Sequence, residues 1–151
     1  MKALGISVGA VVMLVGLCWA AVGDTQYPVF TAPNFVTNMK LVGPNFAAIN
    51  ADLGKKDFES AKAHLVRTRE LLAVTITYWR DRKQDEAIKI LRETLTKMDE
   101  LDTALSSDSV DSDAATAIAK QIGAGCGRCH GLYREQDPAT KAFKFKNGLG
   151  Q

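Results

Sequence analysis

The stretch DFESAKAHLVRTRELLAVTITYW, Asp57 to Trp79, decides what kind of fold this chain adopts. Phe58, Leu65, Leu72 and Trp79 recur every seven residues, and Ala61 and Ile76 fill in between them. Seven residues are about two helical turns, so these side chains form one apolar stripe along a helix. Asp57 suits the N-cap, because its carboxylate can accept from the unpaired amides of the first turn. Nowhere in the chain is there the apolar–polar alternation that a half-buried strand needs.

The same helical rhythm extends to both sides. Upstream, from Thr31, the residues Phe35, Met39, Val42, Phe46, Ile49 and Leu53 are spaced 4-3-4-3-4, again one stripe. Pro44 interrupts that first helix by removing a backbone donor, and Gly54 is expected to end it. Downstream, a third helix is expected from about Lys83 to Leu105, with Ile88, Leu91, Leu95, Met98 and Leu105 inward. A polar loop, Ser106 to Asp113, ends in capping residues for a fourth helix carrying Ala115, Ile118, Ile122, Cys129 and Tyr133, which Pro138 stops. Four helices joined by short loops predict an all-α domain over residues 24–137. Its expected form is an antiparallel up-down-up-down four-helix bundle, followed by a loose tail over residues 138–151.

On the fourth helix lies Cys126-Gly127-Arg128-Cys129-His130. C-x-x-C-H is the attachment signature of a c-type haem. On a helix the thiols stand at i and i+3 and the imidazole at i+4, so all three project from one face. The cysteines can then form thioethers to the porphyrin edge while His130 reaches the iron. A zinc site would want four ligands, commonly two C-x-x-C pairs. A thioredoxin-like dithiol would want a βαβ context, which is missing.

Residues 1–23 read as an export signal: Lys2 supplies the positive start, Leu4 to Leu17 the apolar run, and Ala20, Ala21 and Gly23 the small residues of a cleavage site. If uncleaved, the same segment would be a membrane anchor, since it is nearly long enough to span a bilayer. Cleavage removes Cys18 and leaves two of the three cysteines, both in the haem motif. It also removes Lys2, leaving 18 basic and 17 acidic side chains, a balance that offers nothing to nucleic acid or an anionic membrane.

Cys-Gly-Arg-Cys-His-Gly-Leu-Tyr-Arg (Cys126 to Arg134) resembles the C-terminal signature of class II cytochromes c, the cytochrome c-prime family. The resemblance covers the whole mature chain. It implies a periplasmic haem protein that passes electrons to partner proteins or binds nitric oxide or carbon monoxide, often as a homodimer through its first two helices. In the six-coordinate branch of that family a methionine of the first helix ligates the iron, and Met39, followed by Lys40, matches it; in the five-coordinate branch an apolar side chain blocks that face and gases bind. By its stripe position alone Met39 is a flexible core residue. Arg134, four residues after His130, is either a solvated helix-end cation or a hydrogen-bond donor near the imidazole or a propionate, and the resemblance favours the second. His64 lies beside the Leu65 stripe and reads as a surface histidine. No distal His or Arg appears on the first helix, so a one-electron carrier is expected rather than a peroxidase-like enzyme.

Overall fold

The computed structural model describes residue 29, residues 31–146 and residues 148–150; the expected export signal lies outside them. The described chain is mainly helical, with α1 (Ala32–Lys55), α2 (Phe58–Ala73), a short α3 (Ile76–Asp81), α4 (Asp85–Leu105) and α5 (Ser112–Tyr133). A two-stranded hairpin follows, β1 (Arg134–Gln136) with β2 (Phe143–Phe145). Among the described residues no helix is long and apolar enough to cross a membrane.

Asp57 caps α2 as expected, accepting from the Ser60 amide at 3.1 Å. α1 runs unbroken through Pro44, which is exposed, and the Asn45 side-chain amide donates to the Leu41 carbonyl at 2.8 Å just beside it. Gly54 does not end the helix. The left-handed residue is Lys56 (φ 58°, ψ 27°), whose amide returns to Leu53. The single helix expected from Asp57 to Trp79 breaks at Val74–Thr75. Four consecutive β-branched residues, Val74 to Thr77, crowd the turn there. The Thr75 hydroxyl takes the Leu72 carbonyl at 2.7 Å and the Thr77 hydroxyl the Val74 carbonyl at 3.0 Å. α4 begins at Asp85 rather than Lys83 because Lys83 is itself left-handed (φ 54°).

The end of the chain departs most from expectation. α5 stops at Tyr133, short of Pro138, and the tail beyond is not loose. Its strand β2 pairs antiparallel with β1, and Asp137 closes the connecting loop by accepting from the Ala139 and Thr140 amides at 3.0 and 2.9 Å. Lys146 finishes α5: its amide donates to the Tyr133 carbonyl at 3.0 Å and its ammonium to the Gly131 carbonyl at 2.7 Å. Those are terminal carbonyls that a helix cannot satisfy internally. Phe145 then stacks on Tyr78 (centroids 5.3 Å) and tilts against Phe35 (5.2 Å).

α1 packs on α2, α2 on α4 and α4 on α5, while the contact of α5 with α1 is the thinnest of the four. Residue pairs give the directions. Asn38 near the start of α1 donates to the Leu71 carbonyl near the end of α2, and Asp52 near the end of α1 meets His64 at 3.8 Å. Arg69 of α2 pairs with Asp99 of α4, and Arg128 of α5 with Glu93 of α4. The core between them is built from Ile49, Leu65, Leu71, Ile90, Met98, Leu101 and Ile122, all essentially without solvent contact.

Candidate functional site

The inward stripe of α5 runs Ala115, Ala119, Ile122, Cys126, Cys129 or His130, then Tyr133. Its first three members are fully buried; from Cys126 onward every member is only half-buried. The core face of the helix thus continues into the motif while its cover thins. The facing side of α1 behaves alike, since Met39 and Phe46 are half-buried whereas Phe35, Val42 and Ile49 are buried.

One contact sets the register of the two helices. The Phe46 ring is the nearest neighbour of Gly123, 3.6 Å from where a side chain there would begin. At the motif end of the same seam, Phe35 and Tyr133 share one cluster through Trp79, with centroids 5.1 and 4.8 Å away. Antiparallel helices with those two fixed points put Met39, seven residues before Phe46, level with His130, seven residues after Gly123. The sequence-predicted ligands Met39 and His130 therefore share one level of one seam.

Comparison with protein-family models, curated proteins and solved structures returned no match.

The donor set suits a haem. Both thiols are free, not joined to each other. Burial pushes the Cys126 thiol up, and burial together with its neighbour Cys126 pushes Cys129 up to about 11, so both are protonated thiols at neutral pH. Burial, then the nearby Arg134 charge, holds the His130 imidazole below its ordinary value. It is neutral at pH 7, with a ring nitrogen free to bind a metal. Among the described residues no group of three or more His, Cys, Asp or Glu is gathered that could hold a bare metal ion.

Arg134 lies where the helix gives way to β1. Its amide donates to the His130 carbonyl, and its guanidinium rests 4.1 Å from the centre of the Phe143 ring. It is close enough to act on His130 through charge, but its planar face is taken by an aromatic ring of the hairpin. His64 lies at the surface as expected, its side chain 42% exposed, and it has partners there: Nδ1 meets Asn45 Oδ1 at 3.1 Å and Nε2 faces Asp52 at 3.8 Å, along the edge between α1 and α2.

Two features near the site escaped sequence reasoning. Gly125, beside the first cysteine, lets α5 approach α4 so closely that a side chain there would start 2.3 Å from the Thr94 hydroxyl. The Gly-x-Gly pattern at 123–125 signals small residues but not which neighbours they admit. The cluster of Phe35, Tyr78, Trp79, Tyr133 and Phe145 closes the motif end of the molecule, and Phe145 was out of reach because its segment showed no helical period.

Proposed function

We propose that this chain is an exported c-type cytochrome of the class II kind, a one-electron carrier rather than an enzyme. Its four long helices form an antiparallel up-down-up-down bundle around one haem. Cys126 and Cys129 hold that haem covalently, His130 and Met39 ligate its iron, and Arg134 tunes it. The observation that carries this reading is the packing of Phe46 against Gly123, from which seven residues of helix rise on each side bring Met39 and His130 to one level of the thin α1–α5 seam; two free thiols on the motif helix support it. When bound, haem c supplies the ferric–ferrous couple that moves one electron.

The chain's own groups do the rest. His130 is neutral without having to lose a proton, and a thioether at Met39 never carries one. Arg134 keeps a positive charge beside the proximal imidazole, which favours the reduced, less positive state. Tyr133, Trp79 and Phe35 pack one end of the seam with aromatic carbon and keep water from it. A homodimer through α1 and α2 is part of the same reading and rests on the family resemblance alone.

Acid–acetone extraction of the holoprotein should leave haem on the polypeptide, and haem in the solvent refutes covalent attachment. The ferric protein should be low-spin and take up carbon monoxide slowly or not at all. A high-spin spectrum with ready carbon monoxide uptake replaces the carrier with a five-coordinate gas-binding protein. The intact mass of periplasmic material should lack residues 1–23.

A further inference from the structure

Basic and acidic side chains nearly balance over the whole chain, but the fold sorts them. The half of the molecule around the motif comprises residues 32–43, 66–95 and 123–146, and it carries thirteen Lys and Arg against seven Asp and Glu. The remaining half, residues 44–65 and 96–122, carries five against nine. The motif end is a basic pole and the far end, with Asp102, Asp108, Asp111 and Asp113, an acidic one. The hairpin contributes to the basic pole with Arg134, Lys141, Lys144 and Lys146. Next to the motif the same pole exposes two large apolar side chains, Leu132 (47%) and Phe143 (57%).

We propose that this pole is the docking face for an acidic protein surface, and that the charge asymmetry turns the motif end toward it during approach. A dipole of this kind acts beyond contact range at low salt and fades as the screening length falls to about 8 Å near physiological ionic strength. Acidic residues stand among the cations: Lys144 is 3.4 Å from Glu135 and 3.8 Å from Asp137, and Arg80 is 2.9 Å from Asp81. A mixed pattern of that sort fits the charge mosaic of a protein partner better than an anionic bilayer, which is met by unbroken clusters of Lys and Arg. Apolar side chains beside the cations supply the desolvated centre that a protein interface needs. Only the statement that the partner exchanges electrons rests on the cytochrome reading.

The test places the same charge change at opposite poles of the holoprotein. Lys40→Glu with Lys141→Glu alters the motif pole, and Lys55→Glu with Lys120→Glu the far one; all four lysines are exposed. Poly-L-glutamate is the probe for binding, and ferricyanide, an anionic oxidant, the probe for electron exchange. At low salt the first pair should weaken poly-L-glutamate binding and slow ferricyanide oxidation about tenfold, and the second pair less than twofold. Equal effects of the two pairs overturn the proposal, because net charge and not its placement would then decide. Binding to phosphatidylserine vesicles at least as tight as to poly-L-glutamate overturns it in favour of a lipid. Salt-sensitive self-association in the ultracentrifuge, lost in both variants, overturns it in favour of head-to-tail pairing of copies. Failure of the cytochrome reading looks different: ferricyanide would find nothing to oxidise, while poly-L-glutamate would still separate the two variants.

Discussion

Met39 and the two cysteines are where single side chains can be tested. Met39→Ala should turn a low-spin protein into a high-spin one that binds carbon monoxide, with a lowered reduction potential, since a thioether ligand raises it. Visible spectra with and without the gas read the change, and an unaltered low-spin spectrum would remove Met39 from the iron. In the haem-free chain the cysteine thiols should be sluggish, because the thiolate is the nucleophile and burial disfavours it. With Cys129 near 11 against an ordinary 9.0, iodoacetamide should alkylate it about a hundredfold more slowly at pH 8 than in the urea-unfolded chain. The sign for stability follows. A raised thiol value favours the folded state below pH 9.0, and that contribution is lost as pH climbs toward about 11.

Among the elements, the end of α1 offers the cleanest test, since the residues there stand in the reverse of the usual order. Gly54 sits inside the helix with open space around it, and Lys56 holds the left-handed cap. Gly54→Ala with Lys56→Gly should therefore raise stability by about 1–2 kcal/mol, as helix propensity and relief of the cap add. Urea unfolding followed by circular dichroism measures it; a lower midpoint would mean that the cap is not strained. The same turn marks how far the elements were legible. Seven-residue spacing in Phe58, Leu65 and Leu72, the cap at Asp57 and the capping residues at the end of the Ser106–Asp113 loop revealed the long helices, because periodicity and capping are local. The break at Val74–Thr75 was not visible in that pattern, since Trp79 keeps its place on the stripe whether or not the turn is crowded. The hairpin was missed although Phe143-Lys144-Phe145-Lys146 alternates apolar and polar, because its strands are only three residues each and so short a run carries little weight. Of the site, spacing alone brought out Cys126, Cys129 and His130. The shared level of Met39 depends on the register of α1 against α5, which no local signal carries.

At the scale of the whole molecule, the near-zero charge balance read from composition concealed a strong separation, because composition counts charges and the fold decides which helix ends lie together. A second property of the whole follows from the thin seam. α1 meets α2, and α4 meets α5, across short connections, whereas the seam joins Phe46 to Gly123, one near each end of the folded chain. Contacts between neighbours in sequence form early, while closing so long a loop waits until other contacts offset its entropy. Phe46→Ala should then speed unfolding and leave the folding rate nearly unchanged, whereas Ala61→Gly, at the fully buried α2 face, should slow folding. Stopped-flow chevrons separate the two, and a slowed folding arm for Phe46→Ala would put the seam among the early contacts. If the seam does shut last, the half-assembled chain presents Cys126, Cys129 and His130 on a finished helix with no lid over them. The order of folding, and not any moving part, would set the interval during which a large flat molecule can still be threaded in from the side.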